Sequence, residues 1–144
     1  MRRISCLPVL FCLVSLCTST AWSTQSLFIA TMNGPNESPA NASPGTGFGT
    51  ALYDDVAHTL ALNATFSGLT GTTTASHIHA ATANPGVLTA GVATTTPSFA
   101  GFPLGVTSGS YSNTLDLTLT SSYNPAYVTA NGGTTAGAEF ALTK

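Results

Sequence analysis

The stretch TLALNATF, residues 59–66, alternates apolar residues with polar or small ones along its whole length. Successive side chains of a β-strand point to opposite faces, so one face of this strand is entirely apolar. That face consists of Leu60, Leu62, Ala64 and Phe66. A strict period of two with one polar face is typical of an antiparallel strand that is buried on one side only. The stretch therefore predicts a half-buried strand of an antiparallel sheet.

Similar short segments recur on both sides of this strand, and turn-forming residues separate them. Leu115, Leu117 and Leu119 line one face of such a segment, and Asn113 is the expected turn of a hairpin. The other predicted strands are 27–32, 48–52, the stretch around 77–79, 87–93, 106–112, one that begins at Tyr127-Val128, and 137–142. About seven to nine short strands predict an all-β fold, an antiparallel Greek-key sandwich or barrel that is immunoglobulin-like or superoxide-dismutase-like.

The composition favours strands over helices. Charged residues make up only 6% of the chain, whereas threonine, alanine, glycine, serine and asparagine are abundant. Helix surfaces are normally built from glutamate, lysine, arginine and glutamine, which are scarce here. We find no repeat, linker or second domain, so the chain is expected to form one β domain after its leader segment.

The first 23 residues have the pattern of a secretory signal peptide. Arg2-Arg3 forms a basic start, and the apolar stretch 7–16 is too short to span a bilayer. Small residues then precede a cleavage site after Ser23. We expect residues 1–23 to be removed and residues 24–144 to be exported. The domain is then secreted to the extracellular space, or periplasmic or attached to the cell surface if the host is bacterial.

The cysteines and the charges are distributed unevenly. Cys6, Cys12 and Cys17 all lie in the leader, so the exported domain is expected to have neither disulfides nor thiol chemistry. An uncleaved leader and a lipid on Cys17 are the alternatives to simple secretion. After cleavage, one lysine stands against five acidic residues, which gives a net charge of −4. This balance excludes nucleic acid and anionic membrane surfaces as partners, and no later segment is expected to enter a membrane.

Several short motifs occur in an order that resembles a known family. They are the loop at 33–39, Gly68-Leu69, His77-Ile78-His79, Asn84-Pro85-Gly86, Tyr127-Val128, Gly132-Gly133 and Ala138-Glu139-Phe140. Together they resemble the CHRD domain, the module that is repeated in chordin and found alone in many bacterial secreted proteins. The resemblance implies a non-catalytic extracellular binding module, and it leaves the ligand open. The partner is then an unknown extracellular protein or a second copy of the chain.

His77 and His79 are the candidate metal ligands. On a strand they would point to the same side, with Ile78 directed into the core. Imidazoles suit copper and zinc, and His58 is the only further histidine available to join them. The alternative interpretation is structural: the two rings would hydrogen-bond a neighbouring loop and fix its conformation.

The His-Ile-His stretch is also similar to the copper strand of copper/zinc superoxide dismutases. Those enzymes need several more histidines and an aspartate, which this chain does not offer, so dismutase activity is not expected. The chain also lacks a Gly-x-Ser-x-Gly nucleophile motif, and Asp54-Asp55 is interpreted as a solvated turn. Three functions therefore stay open: an interaction module, a copper or zinc binding protein, and a self-assembling structural subunit that exchanges the apolar segment 27–32.

Overall fold

The strand expected at 59–66 lies inside an antiparallel sheet and is paired on both sides. The computed structural model describes residues 23–84 and 89–144. The signal peptide predicted for residues 1–23 and its cysteines lie outside the described residues, apart from Ser23 at the expected cleavage site. In chain order the sheet consists of β1 (Gln25–Asn33), β2 (Thr46–Asp54), β3 (Thr59–Ser67) and β4 (Gly109–Asp116). Two 3-10 turns, Gly34–Asn36 and Thr120–Ser122, and two helices, α1 (Pro125–Ala130) and α2 (Thr135–Leu142), complete the described elements.

Each strand pairs with its neighbours in sequence, so the sheet order is β1-β2-β3-β4. The turn expected at Asp54-Asp55 joins β2 to β3, and Asp54 Oδ1 accepts hydrogen bonds from the backbone N–H groups of Val56 and Ala57 at 3.0 and 2.8 Å. The bond from Ala57, and after it one from the Gln25 side chain, hold the pKa of Asp54 well below its usual value, because they stabilise the charged carboxylate. In the register, Leu60 lies opposite Tyr53 on one side and Leu115 on the other.

The alternation in β3 predicts its buried face correctly. Leu60 and Leu62 are buried, whereas Asn63 and Thr65 are exposed. We call the sheet face that carries Leu60 and Leu62 the inner face. Its core cluster comprises Leu60, Leu62, Phe99, Tyr111, Leu115, Leu117, Tyr123 and Ala138. Loops and the two helices therefore cover the β3–β4 half of the inner face.

The C-terminal strands predicted at Tyr127-Val128 and 137–142 are wrong, because both stretches are helical. Asn124 caps α1 by accepting a hydrogen bond from the backbone N–H of Ala126, and Pro125 occupies the first turn, where proline is favoured. In α2 the residues that contact the core are Ala138 and Leu142, which are four apart, whereas Phe140 between them is exposed. Residues four apart lie on the same face of a helix, so the alternation at 137–142 does not indicate a strand here.

The predicted hairpin at Asn113 is also wrong, because β4 runs through this residue without a turn. The Asn113 side chain satisfies its polar groups locally: Nδ2 donates to the Tyr111 hydroxyl at 3.0 Å, and Oδ1 accepts from the backbone N–H of Thr114 at 2.9 Å. The chain turns after Asp116 instead. Leu117 is completely buried there and Leu119 is exposed, so the three leucines do not share one strand face.

The histidine stretch forms isolated bridges rather than a strand. Ser76 bridges to Ser98, and His79 bridges to Val92. The strand predicted at 87–93 lies partly outside the described residues, and its described part shows only the Val92 bridge. The described chain thus has four strands in one antiparallel sheet, not the seven to nine of the expected sandwich. None of the described helices is long and apolar enough to cross a membrane.

Candidate functional site

An apolar groove of about 770 Å³ lies over the half of the inner face that the helices leave uncovered. Its floor is made of small residues on the three strands β1 to β3. Ala30 and Ala64 both lie opposite Gly49 in the register. A Cβ atom at Gly49 would have its nearest neighbours at 3.7 and 3.8 Å, so this position is open towards the groove. The groove exists because glycine and alanine occupy β2 where larger side chains would fill the space.

Large apolar side chains form the walls of the groove. Phe28 and Met32 stand on the β1 side. On the other side, an aromatic cluster comprises Phe66, Phe99, Phe102 and Tyr111, whose ring centres are 5.3 to 5.8 Å apart in contacting pairs. Of the residues that the structure describes, Glu37 is the one charged residue along the wall. A volume of this size with mostly apolar walls is within the range of ligand-binding sites in proteins.

His77 and His79 lie on the rim of this groove, with their ring centres 5.0 Å apart. The structure therefore brings the two predicted ligands together although they do not lie on a strand. Each ring makes one hydrogen bond to a backbone carbonyl: His77 Nδ1 to Pro97 O at 3.2 Å, and His79 Nδ1 to Ala90 O at 2.7 Å. A carbonyl oxygen only accepts, so both Nδ1 atoms carry the proton and both Nε2 atoms have a free lone pair in the neutral rings.

Thr94 holds the histidine stretch in place, and sequence reasoning missed it. The Thr94 hydroxyl accepts a hydrogen bond from the backbone N–H of Ile78 at 2.8 Å, and the N–H of Thr94 donates to Ile78 O at 3.3 Å. Thr94 is completely buried, and Ile78 packs half-buried against the core cluster. One buried threonine among many exposed ones carries no distinctive sequence signal. Hydrogen bonds to Thr94 nevertheless fix the backbone of Ile78, and packing against the core cluster fixes its side chain.

His58 lies elsewhere, at the β2–β3 turn, where its φ of 52° is in the left-handed region. Its Nδ1 contacts Glu139 Oε1 and Oε2 of α2 at 2.9 and 3.0 Å. Within residues 23–84 and 89–144, no group of three or more histidine, cysteine, aspartate or glutamate side chains is placed to hold a metal ion. The structure therefore joins two of the three predicted ligands and places the third against Glu139.

Glu139, in α2, is a buried carboxylate. It is 6% exposed and accepts a hydrogen bond from the Tyr53 hydroxyl at 2.8 Å in addition to its contact with His58. Burial, and then this hydrogen bond, raise the pKa of Tyr53 to about 12. The hydrogen bond and charge of Glu139 raise the pKa of His58 above its usual 6.5, and Asp55 and Asp116 add smaller effects of the same sign. These contacts tie α2 to the sheet.

We expect Glu139→Gln to abolish the pH dependence of stability that arises from the pair between His58 and Glu139. Because the pKa of His58 is raised in the folded state, its pair with Glu139 stabilises fully below about pH 6.5 and is lost as the pH rises through the raised pKa. Half of the His58 side chain is exposed, so solvent screens the pair and the slope is shallow. Denaturant unfolding between pH 5 and 9 measures this slope, with His77→Gln as the control. An unchanged slope in Glu139→Gln would show that the pair does not operate.

The residues from the edge strand through α2 match the family model of the CHRD domain over 28–139. This match covers more than half of the chain, and the chain belongs to the CHRD domain family. It includes the walls of the groove, the His-Ile-His stretch and Glu139. CHRD domains are in general modules of the extracellular type. Comparisons with curated proteins and with solved structures found no match.

Proposed function

We propose that this chain is an exported, non-catalytic binding module that holds an extended, uncharged apolar segment of a partner polypeptide. The segment pairs with the open edge of β1 and lays alternate side chains into the groove. The observation that carries the proposal is the continuity of these two features. Phe28 and Met32 belong to the edge strand and also form one wall of the groove.

The edge of β1 has the properties that strand addition needs. Within the described parts of the chain β1 pairs with β2 alone, and residues 25–32 of β1 are all exposed. Leu27 and Ile29 are 64% and 69% exposed on the outer face of the strand. Edge strands of this kind are normally protected by charged residues, lysine above all, and β1 contains none. A partner strand would gain backbone hydrogen bonds along the edge and apolar contacts on both faces.

The other edge of the sheet is less suited to this role. The outer face of β4 carries small polar or acidic side chains, namely Ser110, Ser112, Thr114 and Asp116. Large apolar side chains are exposed on β1 but not on β4. An apolar partner strand therefore buries more apolar surface at β1, which favours that edge.

The chemistry of the site favours binding over catalysis. General acid–base catalysis requires a positioned titratable group near the reacting atoms, and among the described residues the groove lining offers only four, Glu37, His77, His79 and Tyr111. Glu139 does not line the groove, and its carboxylate contacts His58 and Tyr53 instead. The leader pattern of residues 1–23 supports export, in agreement with the usual setting of CHRD domains.

A synthetic peptide with the β1 sequence, QSLFIATMN, blocked at both ends, serves as the probe. We expect saturable binding with one peptide per chain in calorimetry. The control peptide carries lysine at the positions of Leu27 and Ile29, and we expect it not to bind. Equal binding of both peptides would show that apolar strand recognition is wrong, and absence of binding by the first peptide would contradict the proposal.

Self-assembly is the second candidate, because β1 itself is an extended, uncharged apolar strand. Two copies could pair their β1 edges antiparallel and extend the sheet across a two-fold axis. In that case Ile29→Lys is expected to convert a dimer into a monomer in sedimentation measurements, because the added charge blocks the edge. Val56→Lys, in the β2–β3 turn, is the matched exposed control. A wild-type chain that is monomeric at high concentration would leave the partner polypeptide as the occupant.

A further inference from the structure

The two histidines on the groove rim have the hydrogen bonding of prepared metal ligands. A histidine that binds a metal almost always donates its other ring N–H to a carboxylate, a backbone carbonyl or water. His77 and His79 each do so through Nδ1, to Pro97 O and Ala90 O. This bond fixes the tautomer and the ring orientation, and it leaves Nε2 of each ring as the coordinating atom.

The separation of the rings fits a shared ion. A zinc ion lies about 2.0–2.1 Å from a coordinating histidine nitrogen. That nitrogen lies about 1 Å from the centre of the imidazole ring, so the zinc lies about 3 Å from the ring centre. Two imidazoles on one tetrahedral ion therefore have ring centres about 5 Å apart. The observed separation is 5.0 Å, with the ring planes inclined by 54°. The inclination keeps the rings from stacking on each other.

We infer that His77 and His79 form a two-histidine site for a divalent transition-metal ion of the zinc and copper class, coordinated through both Nε2 atoms. The described residues supply no third histidine, cysteine, aspartate or glutamate to this pair. Two positions of a tetrahedral ion are thus open to water or to a donor atom of a molecule in the groove. The site is an open one, accessible from the solvent side because His79 is exposed.

The surrounding structure makes the site rigid before a metal binds. The backbone of Ile78 is held by the buried Thr94, and the Ile78 side chain packs against the core. The two rings are therefore held at their separation by groups that take no part in coordination, which reduces the ordering cost of binding. The site does not depend on strand recognition, since neither histidine belongs to β1.

Titration of the whole exported domain with Zn²⁺ alone tests the inference. We expect one ion per chain by calorimetry, an affinity about tenfold lower or weaker still in His77→Gln or His79→Gln, and no binding in the double variant. His58→Gln is the matched control, and we expect it to bind zinc as the wild type does. Circular dichroism verifies that each variant is folded.

A second readout locates the ion without any variant. Nitrogen NMR of the wild-type imidazoles is expected to show zinc-dependent shifts at Nε2 of His77 and His79, with the ring of His58 unchanged. Equal zinc affinity in the wild type and the double variant would overturn the site. So would a loss of affinity in His58→Gln alone. The β1 peptide described above tests strand recognition separately, so failure of one proposal is distinguishable from failure of the other.

Discussion

Replacing Leu117 by alanine is expected to lower the free energy of unfolding by about 2–5 kcal/mol. Leu117 is completely buried directly after β4, where it packs in the cluster that joins the inner face to the helices. Its N–H donates to His58 O at 2.8 Å, and its carbonyl accepts from the Tyr123 hydroxyl at 3.1 Å. These backbone bonds hold the surroundings, so the cavity left by the truncation cannot close easily.

Leu119→Ala is the matched control for this prediction. It removes the same atoms two residues later, from a side chain that is 51% exposed. Surface substitutions of this kind usually change stability by about 0.5 kcal/mol or less. Denaturant unfolding of both variants measures the difference. Equal losses would mean that all three leucines lie on one buried face, as the hairpin prediction supposed, and would contradict the packing described here.

Replacing Gly49 by valine is expected to reduce the affinity for the β1 peptide about tenfold or more. The Cβ atom fits, since its nearest neighbours would be Asn63 O at 3.7 Å and Met32 Cε at 3.8 Å. The two methyl groups of valine then occupy the floor of the groove and exclude the peptide side chains that would lie there. Valine is favoured over glycine inside strands, so we expect no loss of stability.

The control for the groove variant is Thr65→Val on the neighbouring strand β3. Thr65 lies opposite Phe48, is exposed on the outer face and does not line the groove, so its substitution leaves the groove open. Gly47 is unsuitable for this test, because a Cβ atom there would lie 2.8 Å from Thr65 O of the backbone. Calorimetry with the two variants compares the faces directly. Unchanged affinity in Gly49→Val would remove the groove from the proposed binding site.

The sheet could be predicted wherever the alternation coincides with a face that packs against the core. In β3, Leu60 and Leu62 are buried as the pattern requires. The apolar content of segment 27–32 predicts a strand, and β1 confirms it, yet all residues of the segment are exposed. The sequence indicates that a segment can form a strand, but the extent to which its side chains are buried depends on elements that are distant in the chain. The groove was therefore not foreseeable from β1 alone.

The C-terminal part shows why a period of two is a weak signal in a short segment. Ala138 and Leu142 are compatible with a strand face and also with one face of a helix, since they are four residues apart. Local capping decides for the helix: Thr134 accepts a hydrogen bond from the backbone N–H of Gly137 through its side chain. Threonine is abundant throughout this chain, so its capping role could not be singled out beforehand.

The candidate site was predictable in its local part only. Alternation around Ile78 indicated that His77 and His79 are neighbours, and their ring centres are indeed 5.0 Å apart. Their hydrogen-bond partners come from Pro97 and Ala90, on the following loop. Hydrogen bonds between residues this far apart in the sequence depend on how the loops fold over the sheet. The spacing of residues within the histidine stretch carries no information about that.

Residue-resolved amide hydrogen exchange with and without the β1 peptide tests the central claim most directly. In an edge strand, alternate backbone N–H groups point away from the sheet and exchange with water. We predict that bound peptide slows exchange at these alternate amides of β1 and leaves those of β4 unchanged. Saturating peptide that leaves the exchange of β1 unaltered, or that protects β4 instead, would contradict strand addition at β1.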